Sequence, residues 1–558
     1  MFKTTAITTF IAIPAVLSTL STVTAFDVKT TNYPIPSGAY FVSPTGRDGN
    51  SGRTPYSPWT VKKALTAAPD GATIVFRGGQ YRNIQTTIRK KLTLQPYPNE
   101  KAWLKGSDIV TGWVREGRIW RKDRWKYSFP QNVGSQYIDP KYPLAGRRDM
   151  VYVNGAALKQ VGSKAAVGAG KFYVDAARNK LYIGTNPSGK TVEATTLTKA
   201  FTLWKSNNSN SSDSVIRGLG FAHYADEAVL IGAPRVTLEN NTFAWNGQRG
   251  VAIFATEGVV RGNTFKYNGR LGLFGMSAHR SRIENNNINN NNVENFRKYW
   301  DAAGVKIIWT DGAVIRDNLV AKNKSPAIWI DNSSTNTTVV RNHVRDNNQN
   351  GILFEISHKA IIAANIVTRN TPVGIFIYNS SGARVYNNTL VQNHANLAIK
   401  DTARRNTKAR EIAKCITWTT RNNAVRNNLF WDTTGGAMFF APSCEMRIAS
   451  NQMVYASDYN AYYRQSVNIP SNHIWSFGGR RCSVAFDSLD VFRAATGKEQ
   501  NSIEVVSSRD PFFVNAAGGD YRLKLRSPAS RRGDVLPPDI ATAIGVALGV
   551  VDTGALVF

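Results

Sequence analysis

The stretch "VIRDNLVAKNKSPAIWIDNSSTNTTVVRN" (314–342) contains two short β-like segments, and each closes on an asparagine, Asn318 or Asn342. The same ending recurs along the chain at Asn241, Asn263, Asn286, Asn365, Asn388 and Asn428. Successive steps are 22, 23, 32, 24, 23, 23 and 40 residues. A repeat of this length, with short β runs and no amphipathic helix period, predicts a right-handed parallel β-helix.

Asparagine suits the end of each segment for two reasons. It tolerates the left-handed backbone conformation, and stacked asparagine side chains can hydrogen-bond from coil to coil. A leucine-rich repeat is the competing interpretation, but its L-x-x-L-x-L-x-x-N frame is missing. We therefore expect an all-β solenoid, with regular coils over about 215–430 that stack roughly 4.8 Å apart.

The apolar strands of five successive coils superpose: "AGVKIIWT" (303–310), "AIWIDNS" (327–333), "GILFEIS" (351–357), "GIFIYNS" (374–380) and "NLAIKD" (396–401). One column of this alignment is entirely apolar and should face the core: Ile307, Ile330, Phe354 and Ile377. The flanking columns should face outward. One holds Lys306 and Trp329, and the other holds Asp331, Glu355, Tyr378 and Lys400.

Asp331 and Glu355 each interrupt an apolar run, and carboxylates rarely do so without a partner or a role. On adjacent coils they would lie roughly 5 Å apart, the separation found in retaining glycosidases. Like charges at that distance raise one pKa, which suits a general acid. The pair is therefore a candidate catalytic site.

The stretch "YFVSPTGRDGNSGRTPYSPWTVKKALTAAPDGATIVFRGGQYR" (40–82) predicts a strand, a glycine-rich loop, a helix around 60–68 and a second strand. It resembles the N-terminal cap of secreted β-helix carbohydrate enzymes of the pectate-lyase-like superfamily. The segments "RDPFFVNAAGGDYRLKLRSPA" (509–529) and "VDTGALVF" (551–558) are similar to the end of that superfamily. This resemblance implies a β-helix over 26–535, a closing segment at 536–558 and a carbohydrate context, but leaves the reaction open.

The motifs "GVKIIWTD", "AIWIDN" and "GILFEIS" on successive coils resemble the active-site coils of β-helix glycoside hydrolases of the β-xylosidase type. That resemblance implies Asp331 as the nucleophile and Glu355 as the acid/base. The formal charge of +31 departs from the pattern, because a neutral xyloside does not call for it.

Other interpretations of the same residues stay open. In a polysaccharide lyase, Ca²⁺ would bind the carboxylates and Lys306 would abstract the C5 proton of a uronate. Alternatively, the acids form a structural ladder or cation site, and Lys306 forms a salt bridge to Asp331. A non-catalytic glycan-binding solenoid is the third reading. Outside the lyase case we expect no cofactor and no metal.

Two steps of the repeat are too long, and the extra residues flank the candidate pair. The 286–318 step contains "NVENFRKYWDAAG", with Arg297 and Trp300, and the 388–428 step contains "KDTARRNTKAR", with Arg404 and Arg405. We expect both insertions to wall a substrate site, together with Trp329, Tyr378, Lys400 and His358. The alternatives are solvated surface loops and, for His358, a turn residue.

The chain has 69 Lys+Arg against 38 Asp+Glu, which implies a polyanionic partner. Residues 1–25 read as a signal peptide, with Lys3, an apolar stretch and small residues at Val23–Ala25. Export to the periplasm or the medium favours an acidic polysaccharide over nucleic acid. No later segment is long and apolar enough to span a membrane. The sequence leaves the oligomeric state open.

Three cysteines, Cys415, Cys444 and Cys482, permit at most one internal disulfide. Their spacing shows no C-x-x-C pair, and we expect them to be structural.

Overall fold

The computed structural model describes residues 28–467, 472–478 and 482–555. The expected signal peptide lies outside the described residues. Within them, most strands form three long, mainly parallel sheets, and successive coils contribute one strand to each. The predicted right-handed parallel β-helix is confirmed.

The strands of the three sheets follow, each set in chain order. Sheet I contains Tyr40–Val42, Thr73–Phe76, Thr93–Pro96, Val215–Arg217, Thr237–Glu239, Val259–Arg261, Arg282–Glu284, Val314–Arg316, Thr335–Val340, His358–Ala363, Ser381–Tyr386, Asn423–Arg426 and Val454–Asp458. Sheet II contains Gly79–Tyr81, Ala102–Lys105, Gly220–Ala222, Thr242–Ala244, Thr264–Lys266, Asn287–Asn289, Leu319–Ala321, His343–Arg345, Ile366–Thr368, Thr389–Val391, Leu429–Trp431, Ala461–Arg464 and Ile503–Val506. Sheet III contains Thr86–Ile88, Phe201–Ser206, Ser209–Asn210, Glu227–Gly232, Arg249–Ile253, Leu271–Met276, Ala303–Ile308, Ile328–Asp331, Ile352–Glu355, Val373–Tyr378, Ala395–Lys400, Phe439–Ala441, His473–Trp475 and Val484–Phe486.

Between the early coils, residues 107–195 leave the solenoid and form a separate, mainly antiparallel unit, here called the inserted domain. Its strands are Ser107–Ile109, Val114–Glu116, Ile119–Lys122, Val151–Val153, Ala156–Ala157, Lys159–Gln160, Lys171–Asp175, Lys180–Ile183 and Val192–Thr195. It has a core of its own around Trp125, Phe172 and Leu181. The sequence analysis ran one solenoid from 26 to 535, because short alternating strands look alike in antiparallel sheets and in β-helix coils.

In the described part of the chain, five short helices accompany the strands: α1 (Val61–Ala67), α2 (Ala409–Ile412), α3 (Ser450–Met453), α4 (Leu489–Thr496) and α5 (Pro538–Ile544). Two 3₁₀ turns, Ser135–Tyr137 and Lys164–Ala166, and a hairpin of Phe513–Asn515 with Asp520–Leu523 complete the described elements.

Helices α1 and α4 cover the two ends of the solenoid core. Thr60 caps α1 by accepting a hydrogen bond from the Lys63 amide at 3.1 Å, and Leu65 packs into the core. At the other end, Phe492 of α4 is buried in the same core. Helix α5, in the expected closing segment, lies instead along the flank of sheet I, where Ile540 packs with Val340 and Ala363.

The repeating asparagines form a continuous hydrogen-bonded ladder inside the solenoid. The Asn342 side-chain amide donates to Asn365 Oδ1 at 3.0 Å and to the Ile315 carbonyl at 2.9 Å. In turn, Asn342 Oδ1 accepts from the side chain of Asn318 at 2.9 Å. The ladder crosses both long steps intact: Asn286 to Asn318 is 2.9 Å and Asn388 to Asn428 is 3.0 Å. The insertions therefore loop outward without disturbing the coil register.

A second ladder, which the sequence analysis did not identify, runs along the turn between sheets II and III. It comprises Asn246, Asn268, Asn291, Asn323, Asn347, Asn370 and Asn393. In both ladders the left-handed conformation belongs to the residue before the ladder asparagine, as at Asp317 (φ 57°) and Lys322 (φ 55°). The asparagines are thus selected for their hydrogen bonds, and the expected left-handed backbone lies one position earlier.

Cys444 and Cys482 form a disulfide. Cys415 is a free, exposed thiol.

Asn342→Ala should destabilise the solenoid by about 2–4 kcal/mol, because it leaves buried backbone groups of neighbouring coils without partners. Asn208→Ala, at an exposed position, is the control. Urea unfolding followed by circular dichroism measures the difference. Equal midpoints for the two variants would contradict a stabilising ladder.

Candidate functional site

The predicted register of sheet III is confirmed. Ile307 pairs with Ile330, and Ile308 pairs with Asp331. Further along, Glu355 pairs with Tyr378, which pairs with Lys400. The expected core column is fully buried: Ile307, Ile330, Phe354 and Ile377. Asp331 and Glu355 therefore project outward at the ends of adjacent strands.

Asp331 is held in an ion pair with Lys306. The Lys306 ammonium lies 2.9 Å from Asp331 Oδ2 and donates to the Trp300 carbonyl at 2.8 Å. It also lies 3.4 Å from the centroid of the Trp329 ring, a cation–π contact. Burial lowers the pKa of Lys306, and the neighbouring Asp331 carboxylate acts in the opposite direction. This is the salt bridge considered as the alternative for Lys306.

Glu355 has different neighbours from Asp331. The Trp329 indole N–H donates to Glu355 Oε2 at 3.1 Å, and the Arg404 guanidinium donates to Oε1. Burial raises the pKa of Glu355, and the charge of Asp331 raises it further, whereas Arg404 acts to lower it. Trp329 thus links the surroundings of the two carboxylates, since its ring faces Lys306, the partner of Asp331, and its N–H donates to Glu355.

Both carboxylates face outward but are almost inaccessible, with relative exposures of 9% for Asp331 and 8% for Glu355. The two insertions cover them. Residues 290–302 contribute Asp301, whose Oδ1 lies 3.6 Å from Lys306 Nζ, and residues 401–422 contribute Arg404. Both insertions therefore border the acidic pair.

Two more of the predicted site residues lie on the same outer surface. Tyr378 stacks on Phe376 with ring centroids 4.9 Å apart, and the Arg404 guanidinium lies 5.7 Å from the Tyr378 ring. Lys400 is half-buried and follows Tyr378 in the column. Trp300 is half exposed beside the site.

Three predicted residues have other local roles. Arg405 donates to Asp401 Oδ2 at 2.7 Å and so anchors the insertion from within. The backbone amide of Arg297 donates to the carbonyl of Tyr137 at 2.9 Å. His358 begins the next strand of sheet I, and its Nδ1 lies 2.8 Å from Ser381 Oγ.

Two residues that the sequence analysis did not select complete the charged cluster. Asp301 bridges Lys306 and Arg270, and Arg270 is buried against the rings of Tyr137 and Phe296. The signal for Asp301 was available in the sequence, where a lone acid directly precedes the apolar strand. Arg270 shows no local pattern, since its partner is 31 residues away.

The chain's own cations meet the candidate carboxylates, Lys306 at Asp331 and Arg404 at Glu355. Across the described residues, no group of three or more His, Cys, Asp or Glu side chains is placed to hold a metal ion. In the same part of the chain, no helix has the length and apolarity needed to cross a bilayer.

Comparisons with known proteins agree with the fold. The model of the right-handed β-helix region matches residues 205–297 and 226–390. A structure of XylC in complex with xylose superposes with a TM-score of 0.63 at 15% identity, over 93% of this chain and 98% of that one. A structure described as a glycoside hydrolase gives 0.47 at 14% identity, over 65% and 93% of the two chains. No curated protein sequence matches significantly.

Lys306→Met should cost about 3–5 kcal/mol of folding free energy, because it leaves buried Asp331 without its cation. The double variant Lys306→Met/Asp331→Leu should recover much of that loss. Denaturant unfolding of the single and double variants measures the coupling. Additive losses in the double variant would rule out a direct pair.

Proposed function

We propose that this protein is a carbohydrate-active enzyme, and specifically a retaining glycoside hydrolase with Asp331 as nucleophile and Glu355 as acid/base. The observation that carries the proposal is the unequal environment of two carboxylates on adjacent coils. Asp331 contacts an ammonium group, while burial and the charge of Asp331 raise the pKa of Glu355. Neighbouring carboxyls with different environments are typical of acid–base division of labour. The fold shared with the xylose-bound XylC structure is consistent with this.

The reaction then proceeds in two displacements. Asp331 attacks the anomeric carbon, the glycosidic bond breaks, and Glu355 delivers its proton to the departing oxygen. Water next attacks the glycosyl–Asp331 ester, while Glu355 takes up a proton from that water and the Asp331 carboxylate leaves. Lys306 and Trp329 position the two carboxyl groups through the contacts described above.

An acidic glycan is the proposed substrate. The second insertion exposes Arg404, which contacts Glu355, and three further cations, Lys408, Arg410 and Lys414. Trp309 directly follows the strand Ala303–Ile308 and is 39% exposed, and Lys408 lies 5.5 Å from its ring. Cations beside an aromatic surface suit uronate carboxylates and sugar faces. Export to the periplasm or the medium, through the N-terminal segment, belongs to this proposal.

A polysaccharide lyase is the second candidate, and the lowered pKa of Lys306 favours it. We rank it below hydrolysis because Lys306 Nζ is already bonded to Asp331 and to the Trp300 carbonyl. In the lyase, Ca²⁺ would have to displace these contacts to reach the carboxylates. A solenoid that only binds glycans would retain affinity without turnover.

Each of the variants Glu355→Gln and Asp331→Asn should hydrolyse glycans that the wild-type protein cleaves about 10²–10⁴-fold more slowly. Release of reducing ends on a panel of acidic and neutral glycans measures this, with absorbance at 235 nm recorded in parallel. The matched control is Glu257→Gln, a partly exposed acid paired with Arg280. Unsaturated products that depend on Lys306 and added Ca²⁺ would instead support the lyase.

The pH profile should also respond to Arg404. Hydrolysis requires protonated Glu355, so the rate falls as the pH rises through the pKa of Glu355. Arg404 acts to lower that pKa, so Arg404→Gln should raise it and move the basic limb to higher pH. Initial rates against pH for wild type and variant test this. A shift of the basic limb toward lower pH would contradict the assignment of Glu355.

A further inference from the structure

A cavity of about 700 Å³ lies between the inserted domain and the early coils of the solenoid. The inserted domain contributes Asp149, Tyr152 and Gln160 to its wall, and the solenoid contributes Trp245 and Tyr267. Its size falls within the range of small-molecule sites, about 300–1,000 Å³. Most of the lining residues are apolar or aromatic, and charged and amide side chains are interspersed among them.

Glu294 is the polar group that marks this cavity. It belongs to the first insertion, lines the cavity and retains some accessible surface there. Among the described residues, none donates a hydrogen bond to its carboxyl group. Burial raises its pKa to about 7, and the charge of Lys324 acts in the opposite direction. A carboxyl group left without a donor inside a protein is costly unless something binds it.

Asp149, the carboxylate that the inserted domain contributes to the cavity, already has hydrogen-bond donors. Asp149 Oδ1 accepts from the Phe129 amide at 3.0 Å, and Oδ2 accepts from Gln160 at 3.4 Å. Of the two carboxyl groups that line the cavity, Glu294 is therefore the one available to a ligand. Beside it, Trp245 and Tyr267 stack on each other with ring centroids 4.9 Å apart, and Tyr152 packs edge-on to Trp245 at 6.2 Å.

We propose that this cavity is a second binding site that takes an uncharged saccharide of one or two sugar units, with Glu294 as the acceptor for its hydroxyl groups. A carboxyl group accepts from vicinal hydroxyls, and aromatic walls pack against the C–H faces of sugar rings. Lys141 and Lys159 also line the cavity and disfavour a cationic ligand.

This site is separate from the acidic pair. Cavity residues such as Tyr267 and Glu294 precede the strands of sheet III, whereas Asp331 and Glu355 stand at the ends of such strands. The strand that follows Glu294, Ala303–Ile308, spans about 17–20 Å from end to end. The inference therefore goes beyond the proposed function, and neither depends on the other.

The test is isothermal titration calorimetry of the intact chain carrying Glu355→Gln, so that no ligand is turned over. The probes are xylose, glucose, galactose, xylobiose and cellobiose, with glucosamine and galacturonate as charged comparisons. Adding Glu294→Gln should weaken binding of the preferred neutral sugar about ten-fold or more, because it removes the carboxylate acceptor. Ala157→Trp, at an exposed edge position that lines the cavity, should block binding by filling it.

Three results would overturn the proposal. They are no binding by any neutral sugar, unchanged affinity in both cavity variants, or tighter binding of glucosamine than of glucose. In the background with Glu355 intact, Glu294→Gln should leave hydrolysis at the acidic pair unchanged. Asp331→Asn should abolish hydrolysis and leave sugar binding in the cavity intact, and Glu294→Gln should do the reverse. Either result would show that the two sites act independently.

Discussion

The hydrogen bond from one ladder asparagine to the next is the interaction on which this molecule depends. Each side chain bonds to the next asparagine and also to backbone carbonyls, as at Asn342, so every coil is locked in register with its neighbours. The first ladder begins at the Leu219 amide, which donates to Asn241, and ends where Asn460 donates to buried Glu499 at 3.0 Å. Glu499 in turn accepts from Tyr462 at 3.0 Å. A fixed register is what brings two acids from adjacent coils to the same place.

The register alone would leave Asp331 and Glu355 in water, and the insertions change that. They cover the ends of the sheet III strands that carry the two acids, and they bring Asp301 to Lys306 and Arg404 to Glu355. Low exposure strengthens each charge interaction and raises the pKa of Glu355. The first insertion also carries Glu294 to the cavity beside the inserted domain. One loop of the solenoid thus reaches both proposed sites.

Much of this architecture could be predicted from the sequence, because a β-helix repeats its signals locally. The spacing of the asparagines predicted the coils. The alternation within single strands predicted that Ile330 faces inward and Asp331 outward. The inserted domain was missed, because its strands carry no periodic marker. The contacts of Arg270 with Asp301 and of Arg404 with Glu355 could not be predicted either. They depend on the way in which the long insertions fold back onto the solenoid. The alternation also could not reveal that outward acids would be buried.

The most direct test of the account is to trap the covalent intermediate. A 2-deoxy-2-fluoro glycoside of whichever sugar the protein cleaves should accumulate as an ester, because the fluorine slows both displacements. Mass spectrometry of the digested protein should then show the added sugar on the peptide that contains Asp331. Labelling should require intact Lys306 and Glu355, unless the glycoside carries an activated leaving group that departs without protonation by Glu355. A label on another residue, or inactivation without any covalent label, would contradict the assignment of Asp331 as the nucleophile.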